Sequence, residues 1–164
     1  MAGDLHSNTL VVGWREWASL PSIGIPWIKV KIDTGARSSA LHAFDLEELA
    51  GDRVRFTVHP WQDADTEGSV VEVPIHDRRV VRSSSGHTEE RIVVLLEIVL
   101  GGRTVLAETT LSNRDQMGFR MLLGRTALEG RALIEPGRSY LLGARPPRRR
   151  RRRASPLRPS KLLR

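Results

Sequence analysis

The sequence predicts a mainly β domain, a small closed barrel with one short C-terminal helix. Three observations predict it. Apolar residues recur in short β-type runs from residue 9 to residue 142, many with the two-residue period of strands buried on one face. Turn-forming residues break those runs at close intervals, as tight connections require. One stretch alone, 126–130, reads as helical, and it is little more than a turn. Many short strands with so little helix bury a core best by closing the sheet on itself.

The strands follow in order. Residues 10–12 make a first apolar run. Residues 27–32 alternate through Ile28, Val30 and Ile32 and end at Asp33-Thr34-Gly35-Ala36, where the acid meets a tight turn. Runs 54–59 and 70–75 are spaced as a hairpin. Runs 80–82 and 92–100 flank a polar segment, Arg82-Ser83-Ser84-Ser85-Gly86-His87-Thr88. Gly101-Gly102 reads as the turn joining 92–100 to 104–109, because two glycines accept the positive φ of a tight hairpin. The helical turn follows Leu122-Leu123-Gly124-Arg125, and 140–142 reads as a last strand.

Charge separates the chain into two parts. The formal net charge is +7, yet residues 144–164 hold nine Arg, one Lys and no acid. Removing those ten of the 26 basic residues leaves 16 against 19 acidic ones, a net of −3 for 1–143. The division is therefore a leader at 1–8, a folded domain at 9–143 and an Arg-rich tail at 144–164. Proline and like-charge repulsion predict a disordered tail. Polyarginine attracts phosphate with little sequence preference, so contact with nucleic acid or the ribosome is expected there.

Composition also excludes chemistry. With no cysteine there is no disulfide, thiol nucleophile or thiolate metal site. No apolar stretch approaches the ~20 residues of a membrane span, and the first residues lack a signal peptide's basic start. The reading is a cytoplasmic protein. His6, His42, His59, His76 and His87 are scattered without ligand spacing, so no metal and no cofactor are expected.

Around Asp33 the chain resembles the retropepsin-like aspartic peptidases, over roughly residues 10–142. Three pieces carry the resemblance: Ile32-Asp33-Thr34-Gly35-Ala36, the flap-like segment 82–88, and Met121-Leu122-Leu123-Gly124-Arg125 leading into a short helix. The longer run from Lys31 to His42, with Arg114-Asp115-Gln116-Met117-Gly118-Phe119, is similar to a narrower bacterial family labelled ATP-dependent zinc protease. Its members are associated with ligases that add glutamates to a ribosomal protein. Neither half of the label finds its motif here: no Gly-rich phosphate loop ends in Lys-Ser/Thr, and no H-E-x-x-H is present.

The resemblance implies an acid-protease barrel and an aspartic endopeptidase. Asp33 would supply the catalytic carboxylate, with Thr34 and Gly35 holding its loop. Ala36, Arg37, Ser84, Ser85, Gly86 and Arg125 would contact a peptide substrate. Aspartic peptidases need two carboxylates sharing one proton. The chain has one Asp-Thr-Gly, since Asp65-Thr66-Glu67-Gly68 has the wrong spacing. A C2 homodimer would supply the second.

Viral members carry an acid where this chain has Arg37. If the fold is kept, Arg37 lies near Arg125, and two close cations call for an anion. Either a substrate carboxylate joins them, which suits glutamate-rich peptides, or Asp115 or Glu129 does. Two further readings stay open. Segment 82–88 competes with a second hairpin, over 53–73, for the role of flap. The domain as a whole is either a peptidase or a catalytically silent peptide-binding and dimerisation module.

Overall fold

The computed structural model describes residues 9–61, 68–82, 86–113 and 118–143. The expected leader and tail, and also Ser84, Ser85 and Asp115, lie outside the described residues. Twelve strands and one short α-helix make up the described fold.

The strands are β1 (Leu10–Gly13), β2 (Arg15–Leu20), β3 (Ile25–Ile32), β4 (Ser39–His42), β5 (Phe44–Leu49), β6 (Arg53–Val58), β7 (Ser69–Pro74), β8 (Asp77–Arg82), β9 (Thr88–Leu100), β10 (Arg103–Ser112), β11 (Met121–Leu123) and β12 (Ala132–Glu135). Helix α1 spans Arg125–Leu128, one turn as expected and starting one residue early. A seven-stranded sheet runs β10-β4-β11-β3-β2-β9-β8, and β9 also pairs with β10. Six strands therefore form a closed ring of pairings, with β8 attached to β9. The closure expected from the sequence is present. Strands β5-β6-β7 form a separate antiparallel sheet, and β1 pairs with β12 in parallel.

Alternation places the core. On β3, Ile28, Val30 and Ile32 are buried; on β9, Val94, Leu96, Ile98 and Leu100 are; on β6, Val54, Phe56 and Val58 are. These side chains join one apolar cluster with Met121 and Leu123 of β11 and Leu128 of α1. Gly101 and Gly102 turn β9 into β10 with φ of +56° and +76°, the hairpin that the glycine pair predicts.

Two departures from the sequence reading have clear causes. Residues 140–142 are not a strand. Tyr140 bends the chain at φ +54°, and its N–H donates to the Arg15 carbonyl at 2.9 Å. The N–H groups of Leu141 and Leu142 donate to the carboxylate of Glu16 at 2.9 and 3.3 Å. Strand β2 is the second departure. Glu16 holds one of its three core-facing positions and is fully buried, so the apolar period is broken. Its carboxylate accepts three backbone N–H groups, Gly13 included at 2.7 Å, which is what makes such burial tolerable.

Candidate active site

Strand β3 delivers Asp33 to the edge of the ring. Its neighbour is β11, parallel and in register from Val30↔Met121 to Ile32↔Leu123. That pairing continues one step past β3, because Asp33 N–H donates to the Leu123 carbonyl at 2.9 Å. The chain then turns: Ala36 N–H reaches the Asp33 carbonyl at 3.3 Å, and the Asp33 carboxylate accepts the Gly35 N–H at 3.1 Å. Asp33 is half-buried, while Thr34 and Gly35 are exposed. A carboxylate oriented by the turn it starts, at the open end of a strand, is placed to meet a ligand.

The start of α1 supports this loop from behind. Gly124 packs directly on the Ser38 carbonyl, so close that any Cβ at this position would collide with backbone. Its N–H donates to Ser39 Oγ at 3.2 Å. Arg125 N–H donates to the Ala36 carbonyl at 2.9 Å, and Thr126 N–H to the Arg37 carbonyl at 3.1 Å. Thr126 Oγ1 donates to the same Arg37 carbonyl. The guanidinium Nη1 of Arg125 donates to the carbonyls of Thr34 at 2.8 Å and Gly35 at 3.2 Å. Segment 33–37 is thus held almost wholly through its main chain.

Beside the loop lies a cleft of about 540 Å³ lined by Thr34, Arg37, Arg125, Thr126, Leu128, Glu129, Ala132 and Ile134. The structure therefore brings Thr34, Arg37 and Arg125 to one surface. Among the described residues no ion pair joins Arg37 or Arg125 to Glu129, although all three line the cleft. Arg125 is partly neutralised by the two carbonyl oxygens. Arg37 is exposed and carries its charge towards solvent.

The two hairpins considered for the flap both exist. Strands β8 and β9 pair through Arg82↔Thr88, so 83–87 forms the connection; Gly86 there has φ +85°. Strands β6 and β7 form the other, paired through Val58↔Ser69. Among the described residues no hydrogen bond links Gly86 to the Asp33 loop, and Ser84 and Ser85 fall outside the description. Among those residues, too, no group of three His, Cys, Asp or Glu side chains lies together as a metal would need. No described helix is long and apolar enough to cross a membrane.

Residues 11–145 match the family model described as the retropepsin-like aspartic endopeptidase RimB. The chain belongs to the RimB-like family. Its curated relatives include proteins named probable alpha-L-glutamate ligase. The one from Parasynechococcus marenigrum is 46% identical over 143 residues, covering 84% of this chain and 30% of that protein. The one from Shewanella pealeana is 39% identical over 142 residues, covering 85% and 31%. The chain thus spans about a third of the length of these relatives. Among solved structures, a Legionella pneumophila protein of unknown function is similar with a TM-score of 0.66 at 27% identity, over 81% of this chain and 98% of that one.

Sequence reasoning did not single out Ser39 or Thr126. Ser39 is fully buried in β4 and bonds the backbone of Gly124; Thr126 bonds that of Arg37. The only signal was position, since both flank the motifs that carry the RimB-like resemblance.

Proposed function

We propose that this RimB-like chain is an aspartic peptidase that hydrolyses peptide bonds with two Asp33 side chains, one from each protomer of a C2 homodimer. The observation that carries the reading is the placement of Asp33. It sits at the exposed end of β3, on a turn held in place by Gly124, Arg125 and Thr126. A peptidase needs a carboxylate fixed to within a fraction of an ångström while remaining open to substrate. Main-chain clamping of the loop supplies that rigidity without covering the acid.

The chemistry follows from two carboxylates at short range. Like charges that close cannot both ionise, so the pair holds one proton between them. The ionised member takes a proton from water as the oxygen attacks the scissile carbonyl carbon. The protonated member donates a hydrogen bond to the carbonyl oxygen as charge builds on it. Collapse of the tetrahedral intermediate breaks the C–N bond, and a proton passes to the leaving amine. No bound group beyond water and peptide is needed.

Glutamate-rich peptides are the substrate class we favour. Two features support it: the guanidinium groups of Arg37 and Arg125 line the cleft beside Asp33, and the relatives are named as glutamate ligases. Arginine's planar fork suits bidentate carboxylate binding. Thr34, Gly35 and Ala36 would border the scissile bond, with the β8–β9 hairpin and Gly86 closing over it.

Cleavage of a glutamate-rich peptide and a neutral one of equal length, by wild type and by Arg37→Ala, tests the substrate class. The expected result is a wild-type preference for the acidic peptide that Arg37→Ala reduces by about tenfold or more. Equal rates on both peptides in both proteins would remove the acidic-substrate reading. Asp33→Asn tests the chemistry: it is expected to lower kcat on the order of 10³-fold or more while leaving a folded dimer. Wild-type turnover in that variant would refute the mechanism.

A further inference from the structure

A two-stranded sheet is marginal alone, and an edge strand with unpaired N–H and C=O groups is a template for another strand. Strand β12 is such an edge. It pairs with β1 along Leu10↔Ala132 to Gly13↔Glu135, and no other described strand pairs with it. Neither proline nor a bulge interrupts the four residues. Leu133 is 49% exposed, and Val11, its partner in register, is 53% exposed. Two large apolar side chains therefore stand side by side in solvent at the edge of the sheet.

We propose that β12 is the interface strand of the homodimer, two copies lying antiparallel and edge to edge about the two-fold axis. The proposal rests on the two-chain reading of the active site and names the surface that joins the chains. Three observations select a second copy as the occupant.

Charge is the first. Centring the axis on Leu133 sets Leu133 against the partner's Leu133, Arg131 against the partner's Glu135, and Glu135 against the partner's Arg131. Arg131, Leu133 and Glu135 are all exposed and, at two-residue spacing, share one face. Self-pairing in this register gives two opposite-charge contacts around one apolar contact, as isologous symmetry requires.

Continuity with the site is the second. Ala132 and Ile134 of β12 line the same cleft as Thr34 and Arg37. A partner seated on β12 is therefore adjacent to the Asp33 loop, where its own Asp33 is needed. Completeness is the third: each chain holds one Asp-Thr-Gly, so the site is unfinished without a copy on this side of the ring.

The absence of cysteine makes a direct test available, because one introduced thiol can pair only with its own copy. At the centre of an antiparallel pair, directly opposite Cβ atoms stand close to disulfide range. The experiment compares Leu133→Cys with Val80→Cys, whose wild-type side chain is 70% exposed on β8, under mild oxidation in the full chain. The expected result is a covalent dimer for Leu133→Cys and not for Val80→Cys. A charge exchange serves as the second measurement. Arg131→Glu is expected to raise the dimer dissociation constant roughly tenfold, and adding Glu135→Arg to restore it. Restoration reports on the pair itself, since a folding defect from the first change would persist in the double variant. A wild type that sediments as a dimer, yet is indifferent to cross-linking at Leu133 and to charge exchange, overturns the β12 surface alone. A wild type that is monomeric and active overturns the two-chain site as well.

Discussion

Arg125 holds the main chain at Thr34: its Nη1 donates to the Thr34 carbonyl at 2.8 Å, with the Gly35 carbonyl second at 3.2 Å. Where the viral retropepsins use an acid after the Asp-Thr-Gly-Ala element, this protein has Arg37. Carbonyl oxygens supply part of the missing counter-charge. The loop that presents Asp33 is thus fixed by a side chain reaching backbone, leaving the side chains of Thr34 and Arg37 free to face a ligand or a partner chain.

Replacing Arg125 should therefore damage activity more than stability. Arg125→Leu removes two charge-assisted hydrogen bonds at an exposed site, a loss of about 1–3 kcal/mol. The expected readout is a modest fall in Tm with kcat lowered by at least about tenfold, because a small misplacement of the reacting group is costly. Arg125→Lys should restore little, since an ammonium lacks the planar fork. Full activity in Arg125→Leu would show that the loop holds its shape without this contact.

Glu16 is the corresponding test of the fold. Its buried carboxylate accepts the N–H groups of Gly13, Leu141 and Leu142. Glu16→Ala strands three backbone donors and releases the 138–142 segment from β2. The expected cost is roughly 3 kcal/mol or more. In urea unfolding the midpoint should fall while the slope stays the same. A midpoint within experimental error of wild type would mean that water replaces the carboxylate at no cost.

Acidification should weaken the link between β8 and β10. The Arg79 guanidinium bonds Glu108 at 2.7 Å and Asp77 at 2.7 Å. It holds both carboxyls below their ordinary values, chiefly by hydrogen bonding, and is itself raised by them. Carboxyls lowered on folding stabilise the fold above their unfolded-state pKa, near about 4. That stabilisation is lost as pH falls through the lower folded-state values. Melting curves should therefore show Arg79→Leu below wild type at pH 7 and converging with it towards pH 3. The gap should be small, because these groups are largely solvated. A gap that widens on acidification would contradict the assignment.

Much of the fold was legible because its strands obey one simple period. Strands β3, β6, β7, β9 and β10 bury alternate residues, and the Gly101-Gly102 turn follows from glycine's tolerance of positive φ. Strand β2 was hidden because Glu16 fills a core position with a charge. Strand β4 buries Ser39 and His42, polar residues at core positions. Strand β5 has no buried residue at all, so no apolar face marks it. Residues 140–142 failed in the opposite sense: they are apolar, but Tyr140 bends where a strand would extend.

At the site, Asp33, Gly124 and Arg125 could be picked out because few residue types do what those positions require. Only an acid supplies the carboxylate. Gly124 alone fits against the Ser38 carbonyl. The partners of Arg125 could not be foreseen, because they are main-chain carbonyls, which every residue has. The β12 edge was equally hidden, since strand neighbours are a property of topology and not of the local sequence.

Subunit mixing tests the central claim most directly. Wild type and Asp33→Asn are combined in equal amounts, allowed to exchange, and assayed for peptide hydrolysis against wild type at the same total concentration. If both Asp33 side chains of a dimer are required, only wild-type homodimers work, and activity settles at about one quarter of the wild-type value. Activity of about one half would mean that each chain acts alone, contradicting the two-chain active site.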